Sequence, residues 1–390
     1  MRIAHVTDFY LPRLGGIEMH VADLTERQQH SGHDVHVITS SPAAACPRGS
    51  SVPVHRVTER FSRPHAMHPL SVREGIAALD RLRPDVVHAH LGVASPLAFF
   101  VARAAAQRGI PTVVTVHSMW AGVRPIMRTM DFLGRWSQLP ILWTAVSRAA
   151  AGPVAAVLPP STTIHVLANG IDQDQWRLAS QPPPPDDVLV LAAVMRLARR
   201  KRPMALLAIV RDAQAELERL GDPTRLRLVV AGDGPRQGAM ATWLARHQMT
   251  DAVDLLGRVD RRTVHDEVLG RAHAFLAPAD LESFGIAALE ARCAGIPVLA
   301  KSGGGMGEFI HDEAEGLMCD TDADMSAAIV RLAREPGLRA HIAAHNRDAV
   351  CAVAWTPLLR ATEAAYDLAT RQAHDGRQIA DADLHGPLVR

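Results

Sequence analysis

Residues 272–305, AHAFLAPADLESFGIAALEARCAGIPVLAKSGGG, decide the fold. A strand-like run at Ala274–Ala277 is followed by a loop, an apolar helical stretch, a second strand-like run at Ile296–Ala300 and a glycine-rich turn. Short apolar runs joined by a helical crossover describe parallel strands of a sheet covered on both faces. Glu282 ends the loop and Ser283 is the expected N-cap. Glu290 follows eight residues after Glu282, about 80° past two full helical turns. Both carboxylates are therefore expected to face one ligand at different depths, Glu282 toward sugar-like hydroxyls and Glu290 toward a ribose. Two solvated glutamates are the alternative, but the stretch AALEARCAG is otherwise apolar, and a carboxylate there needs a partner. Gly303, Gly304 and Gly305 read either as a phosphate cradle before a short helix or as a flexible surface loop.

The same alternation runs outward in both directions. Ahead of this stretch lie expected strands at Arg2–Thr7, Val35–Thr39, Val86–Ala89, Thr112–Val116, Ile141–Val146 and Thr163–Leu167, with helices such as Ile17–His30 and Pro96–Gln107 between them. A second series comprises strands at Val188–Val194, Arg227–Ala231 and Val253–Leu256, helices at Pro203–Leu220 and Gln237–Gln248, and a last strand near Gly316–Met318. The fold class is α/β, with two doubly wound halves. At 390 residues two domains are expected. Periodicity stops over 173–187, which holds four consecutive prolines, so that segment is expected to link a domain at 1–172 to one at 188–354. Residues 355–373 read as a helix with Thr356 as N-cap and Pro357 at its first position, and 374–390 as a polar tail.

The charge balance, 42 Lys+Arg against 41 Asp+Glu, offers no field for nucleic acid or an anionic membrane. Any anion site must be local. Cys46, Cys293, Cys319 and Cys351 share no CxxC spacing, so neither a disulfide framework nor a zinc site is indicated. MRIAHVTDFY enters a strand at once, and no apolar run reaches the ~20 residues of a membrane span. These features imply a cytoplasmic protein in at most peripheral contact with a membrane.

In doubly wound sheets ligands lie beyond the carboxyl ends of strands. After the first strand, DFYLPRLGGIEMH places Gly15 and Gly16 before a helix, as a phosphate site or as a structural turn. VMRLARRKRP places Arg196 and Lys201 after a strand, where a diphosphate would find a guanidinium fork and a point charge; a solvated basic face is the alternative. His88 and His90, two apart on one strand, share a face, and His117 ends the next strand. No fourth ligand has zinc-like spacing near these three, and a satisfied structural role is the other reading of His117. Of the DxD triplets, 172–174 lies in the expected linker and 320–322 and 322–324 open a helix, where aspartates cap; none is read as a metal site.

Together the segments DFYLPRLGGIEMH, PDVVHAHLG, VTVHS, TAVS, VLANGID, RLARRK, VVAGDGP, LLGRV and ESFGIAALE resemble glycosyltransferase family 4, the retaining enzymes of the GT-B fold. The resemblance spans nearly the whole chain. It implies two Rossmann-like domains whose parallel sheets face a central cleft, the first binding acceptor and the second a nucleotide-sugar, with 355–373 crossing back to the first. It implies no metal and no other cofactor. By this resemblance His117, Arg196, Lys201 and Glu282 carry the reaction, with Arg196 and Lys201 on the diphosphate. Gly16, Phe284, Gly285, Ile286, Glu290, Gly304 and Gly305 contact the donor, and Gly15 and His90 lie toward the acceptor. The acceptor hydroxyl attacks from the face the leaving group departs, and a phosphate oxygen takes its proton. One departure is Met195, where the family has glycine, which is expected to narrow the donor pocket or shift the strand. A UDP-sugar is the expected donor and a small cyclitol or aminocyclitol the expected acceptor; a lipid-linked or phosphorylated acceptor is the alternative. Arg13, Arg60, Arg63, Arg124, Arg128 and Arg135 either meet such an acceptor or solvate the surface. A sugar phosphorylase, an epimerase and an inactive nucleotide-sugar-binding protein are the rival functions.

Overall fold

The computed structural model describes residues 1–13, 15–43, 51–59, 68, 70–178 and 187–375. The chain divides into two compact units, Met1–Gly170 with Trp355–Arg390, and Ile171–Ala354. The change of unit falls at Gly170/Ile171, ahead of the 173–187 segment read as the linker. Gln173–Trp176 is a short helix, capped by Asp172 and held in the second unit by the Gln173 amide, which donates to Ala349 O at 2.9 Å and accepts from Cys351 N at 2.8 Å. The four prolines lie outside the described residues, as do Cys46, Arg60, Arg63 and the tail from 376 on.

Among the described residues the first unit contains β1 (Arg2–Thr7), β2 (Asp34–Thr39), β3 (Val54–Arg56), β4 (Val86–Leu91), β5 (Thr112–Val116), β6 (Ile141–Ala145) and β7 (Ile164–Val166). Every pairing is parallel and the order is β3-β2-β1-β4-β5-β6-β7. The central strands β4, β5 and β6 are buried along their whole length, which is why they read as unbroken apolar runs rather than alternations. β3 was not foreseen: at the sheet edge, three partly exposed residues with one apolar side chain leave no such run. The helix Trp355–Asp375 belongs to this unit and packs on β5 and β6. Its Ala365, Tyr366, Leu368 and Ala369 share a core with Ile3, Val113 and Leu142, while Trp355 and Leu358 meet Leu24 and Leu167. A Cβ on Gly170 would lie 2.6 Å from the Trp355 ring, so glycine makes room for the indole.

The second unit contains β8 (Val188–Val194), β9 (Arg225–Ala231), β10 (Val253–Gly257), β11 (Ala274–Ala277), β12 (Val298–Lys301) and β13 (Gly316–Cys319). They too are parallel, in the order β10-β9-β8-β11-β12-β13. Leu206, Leu207, Val210 and Leu217 of the helix Pro203–Arg219 join Leu191, Leu228, Leu276 and Ile329 in its core. Both units thus repeat one winding, with the first strand central and the chain progressing outward from it on either side. Cys293, Cys319 and Cys351 are buried thiols, free of disulfides. Among the described residues no helix is long and apolar enough to cross a membrane.

Candidate active site

In the second unit the direction of winding reverses between β8 and β11. Side chains beyond the carboxyl ends of these neighbours therefore meet in one crevice. Arg196 leaves β8 exposed, and among the described residues its guanidinium makes no ion pair. Its backbone is pinned on both sides: Met195 N donates to Ala231 O at 3.0 Å, Leu197 N to Asp233 O at 2.8 Å, and Arg236 N to Leu197 O at 2.9 Å. Gly232 and Gly234 permit this approach, at φ of +137° and +155°; a Cβ on Gly232 would fall 1.8 Å from Met195 O. The side chain of Met195 packs on the core, and β8 keeps register with β9 through Val194↔Ala231.

Lys201 closes the 3₁₀ turn Arg199–Lys201 and donates to Glu282 Oε2 from the loop after β11. With side-chain exposures of 25% and 15%, the pair is partly withdrawn from water yet open on one side. Arg202 serves otherwise. Its guanidinium forks onto Asp322, both contacts at 2.8 Å, and also donates to Pro278 O at 2.9 Å and Asp280 at 3.1 Å. The Lys301 ammonium lies 2.9 Å from the same Asp322, whose carboxyl is held below the usual range chiefly by Arg202. Asp322 is therefore an electrostatic staple as well as the first residue of the helix Asp322–Arg334, whose cap is Thr321 in a reciprocal box with Asp324.

The Glu282 loop is fixed by glycines. Gly305 N donates to Glu282 O at 2.8 Å, and a Cβ on Gly304 would sit 2.9 Å from that oxygen. Gly285, at φ +97°, is the N-cap of the helix Ile286–Cys293, and Phe284 is buried against Phe309 at 5.2 Å between rings. This corrects the sequence reading: Ser283 is not the cap, and Glu282 lies off the helix, so the helical angle between it and Glu290 does not apply. Glu290 has its own cation, Arg261 at 3.6 Å, whose guanidinium lies over the Trp176 ring at 5.5 Å. After β12, Gly305–Glu308 forms a four-residue 3₁₀ turn.

In the first unit Gly15 is extended and Gly16 opens the helix Gly16–His30. Asp8 fills the start of another helix, its two oxygens accepting from Leu97 N and Ala98 N at 3.0 Å each, so the N-terminus of Pro96–Gln107 is already occupied by a carboxylate. Burial pushes Asp8 up to about 7 against those two hydrogen bonds. Arg13 is paired with Glu18 at 3.1 Å, and Arg128 donates to Ala156 O.

The histidines form a buried chain. His117 Nε2 lies 3.0 Å from His90 Nδ1, and His90 Nε2 lies 2.9 Å from His5 Nδ1. His5 Nε2 donates to Gln28 Oε1 at 2.7 Å. Both nitrogens of His90 are engaged and the residue is 1% exposed, so the expectation that His90 touches an acceptor molecule is corrected: it is interior to this network. His117 itself stands at the carboxyl end of β5, 6% exposed.

The description "Glycosyltransferase Family 4" matches residues 14–175 and "Glycosyl transferases group 1" matches residues 174–349. The chain belongs to glycosyltransferase family 4. It is 29% identical to a glycogen synthase of Mycobacterium tuberculosis over 375 residues, covering 85% of each chain. It is 27% identical to the gpi3 subunit of the phosphatidylinositol N-acetylglucosaminyltransferase of Schizosaccharomyces pombe, over 78% of this chain and 67% of that one. The fold matches that of Anabaena HepE in complex with UDP and glucose, at TM-score 0.70 and 18% identity, over 89% of this chain and 94% of that one. This family 4 glycosyltransferase thus has the GT-B pair of Rossmann-like domains and uses a nucleotide-sugar donor.

Several neighbours of the expected site residues in the glycosyltransferase escaped the sequence reading. His5 was within reach, since the register pairs His5 with His88 and Thr7 with His90 on adjacent strands. Gln28, Tyr366 and Arg261 carry no local signal, and Asp322 was read only as part of two DxD triplets at a helix start. The buried histidines also set a pH dependence. Burial pushes His5 down to about 4 and His117 to about 3, and drives His20, His88 and His90 well below the ordinary 6.5. Between those values the unfolded chain binds more protons than the folded one, so this stability is complete above pH 6.5 and is lost as pH falls toward 4. The first unit is expected to weaken, by on the order of 1 kcal/mol per pH unit for each proton taken up on unfolding. Amide exchange of β1 and β4 at pH 7 and pH 5 measures it; equal protection at both would contradict the neutral, buried assignment.

Proposed function

We propose that this glycosyltransferase is retaining and metal-independent, transferring a sugar from a UDP-sugar to a hydroxyl of a small cyclitol or aminocyclitol in the cytoplasm. The observation that carries the reading is the Lys201–Glu282 pair, which joins the loops after the neighbouring strands β8 and β11, with Arg196 exposed at the end of β8. A departing nucleoside diphosphate needs positive charge where its own charge grows, and Arg196 and Lys201 supply it from fixed backbone. Glu282, anchored through Gly304 and Gly305, accepts from sugar hydroxyls together with the backbone of Phe284, Gly285 and Ile286. Glu290 accepts from the ribose, and Arg261 beside it orients its carboxylate. His117 positions the sugar, Gly16 approaches the donor, and Gly15 lies toward the acceptor. The acceptor hydroxyl attacks from the leaving-group face and passes its proton to a phosphate oxygen.

A second reading, a lipid-linked acceptor, is favoured by the helix Arg124–Gly134, which exposes Ile126 at 59%, Phe132 at 81% and Leu133 at 74%. The name of the fission-yeast relative, which acts on phosphatidylinositol, points the same way. Release of UDP should require donor and acceptor together, without added divalent metal, and a panel of free cyclitols against inositol lipids separates the two readings. Among UDP, GDP, ADP and dTDP, UDP is expected to raise the melting temperature most, since saturation at 100 Kd stabilises the native state by about 2.7 kcal/mol. A larger rise with GDP or ADP would replace the assigned donor.

A further inference from the structure

The helix Arg124–Gly134 is fastened to its own unit mainly by polar contacts. Of its eleven residues only Met127 is buried, with Met130 partly buried against the same core. The other fastenings lie along its edges: Arg128 donates to Ala156 O at 2.6 and 3.1 Å, and Arg103 Nε donates to Gly134 O at 2.8 Å. Asp131 accepts from Ser137 N at 2.9 Å and from Ser137 Oγ at 2.7 Å. A surface helix ordinarily turns its apolar stripe to the core and its charges to water. Here the outward side is the apolar one. At about 100° per residue, Phe132, Pro125, Thr129, Leu133 and Ile126 follow one another around it, and each is exposed. The patch continues onto the helix Pro96–Gln107, where Phe100 is 38% exposed and meets the Trp136 ring edge to face at 6.2 Å. Trp136 in turn lies beside Gly134, where a Cβ would stand 2.9 Å from the indole.

Arginines rim this apolar face. Arg124, Arg128 and Arg135 are exposed at its start, flank and end, whereas the one carboxylate of the helix, Asp131, is engaged by Ser137. The bond from Arg128 to a carbonyl leaves its charge uncompensated. We propose that this helix is a docking surface for a membrane that carries anionic lipid, lying in the plane of the headgroups with Phe132, Leu133 and Ile126 against the acyl boundary and the three arginines on lipid phosphates. Eleven residues fall short of the ~20 that span a bilayer, so the helix lies along the interface, where such faces sink by about 5–10 Å. A guanidinium forks onto a phosphate, and its field reaches an anionic leaflet. Charge is nearly balanced over the whole chain, 42 basic residues against 41 acidic, so a local excess of this kind orients the protein on the surface rather than merely attracting it. A second copy of the chain would match the apolar side chains but not the rim. In a two-fold contact the same arginines would face one another, and like charges oppose the association. Docking of this kind holds for a free cyclitol acceptor as for a lipid-linked one.

The test is flotation of the full chain with vesicles of phosphatidylcholine alone and with about a third phosphatidylglycerol, neither containing a sugar acceptor. Binding is expected on the anionic vesicles, far weaker on the neutral ones, and lost as salt approaches about 1 M, where charges are screened within about 3 Å. Arg124→Gln and Arg135→Gln should each weaken it about fivefold, the ratio that corresponds to roughly 1 kcal/mol per arginine at an anionic surface. Phe132→Ser combined with Leu133→Ser should release the chain from the vesicles at an unchanged melting temperature, because both side chains are exposed. No flotation with anionic vesicles overturns the proposal, as does flotation that the paired serine substitution leaves intact. Equal binding to both kinds of vesicle removes the anionic lipid. Sedimentation of the free chain as a dimer that the serine pair dissociates, without vesicle binding, assigns the face to a second copy instead.

Discussion

Gly232→Ala is expected to destabilise the second unit by about 3–5 kcal/mol in urea unfolding. Two costs combine. At φ +137° an L-residue adopts a backbone conformation it rarely occupies, which costs on the order of 1–3 kcal/mol. The new methyl would also stand 1.8 Å from Met195 O. That atom is backbone, held by the bonds that pin Met195 and Leu197 around Arg196, so relief requires moving the strand end and cannot come from a side-chain rotation. Gly238→Ala is the matched control. Gly238 lies in the helix Gln237–Arg246 with nothing within 4 Å of a Cβ, and alanine there should stabilise by about 0.5–1 kcal/mol. If the two variants unfold at similar urea concentrations, the close approach beneath Arg196 is wrong.

Arg196→Ala and Lys201→Ala should each lower kcat by about 10²–10³, the usual cost of removing one preorganised charge from a transition state. The two should differ in their second effect. Lys201→Ala also strands Glu282, so Lys201→Ala and Glu282→Gln should be non-additive by about 1 kcal/mol or more in a double-mutant cycle. Arg196 has no such partner among the described residues, and its loss should leave the unfolding midpoint nearly unchanged. Arg202→Ala should do the opposite, lowering stability through Asp322 before it touches kcat. Full turnover in Arg196→Ala would remove it from the diphosphate.

The sequence carried the parallel sheets because burial on both faces writes itself as apolar runs, as in VVHAHL and TVVTV. It failed where an element is short and polar, as in Val54–Arg56, or where one residue's conformation sets a boundary. Gly285 moved the helix start past Ser283, and with it the angular relation of Glu282 to Glu290. The placing of Arg196, Lys201 and Glu282 in the loops after strands was legible in the sequence. Their separation of roles was not, since Arg202 finds Asp322 only through tertiary structure, 120 positions along the chain. The buried histidine network was half visible, as a two-residue period on one strand; its link to Gln28 is made only by the folded sheet.

The helix Trp355–Asp375 also constrains the order of events during synthesis. The 184 residues of Ile171–Ala354 separate it from the rest of its own unit. At about 5–20 residues per second, ribosomal elongation leaves an interval of roughly 10–40 s in which β1–β7 exist without that helix. During that interval Ile3, Val113 and Leu142 lack their cover from Ala365 and Leu368, and His88 lacks the Tyr366 hydroxyl. The second unit can complete its core first, although it is translated later. A nascent chain stalled before residue 355 should therefore expose apolar surface on its first half alone, and would be the species a chaperone meets.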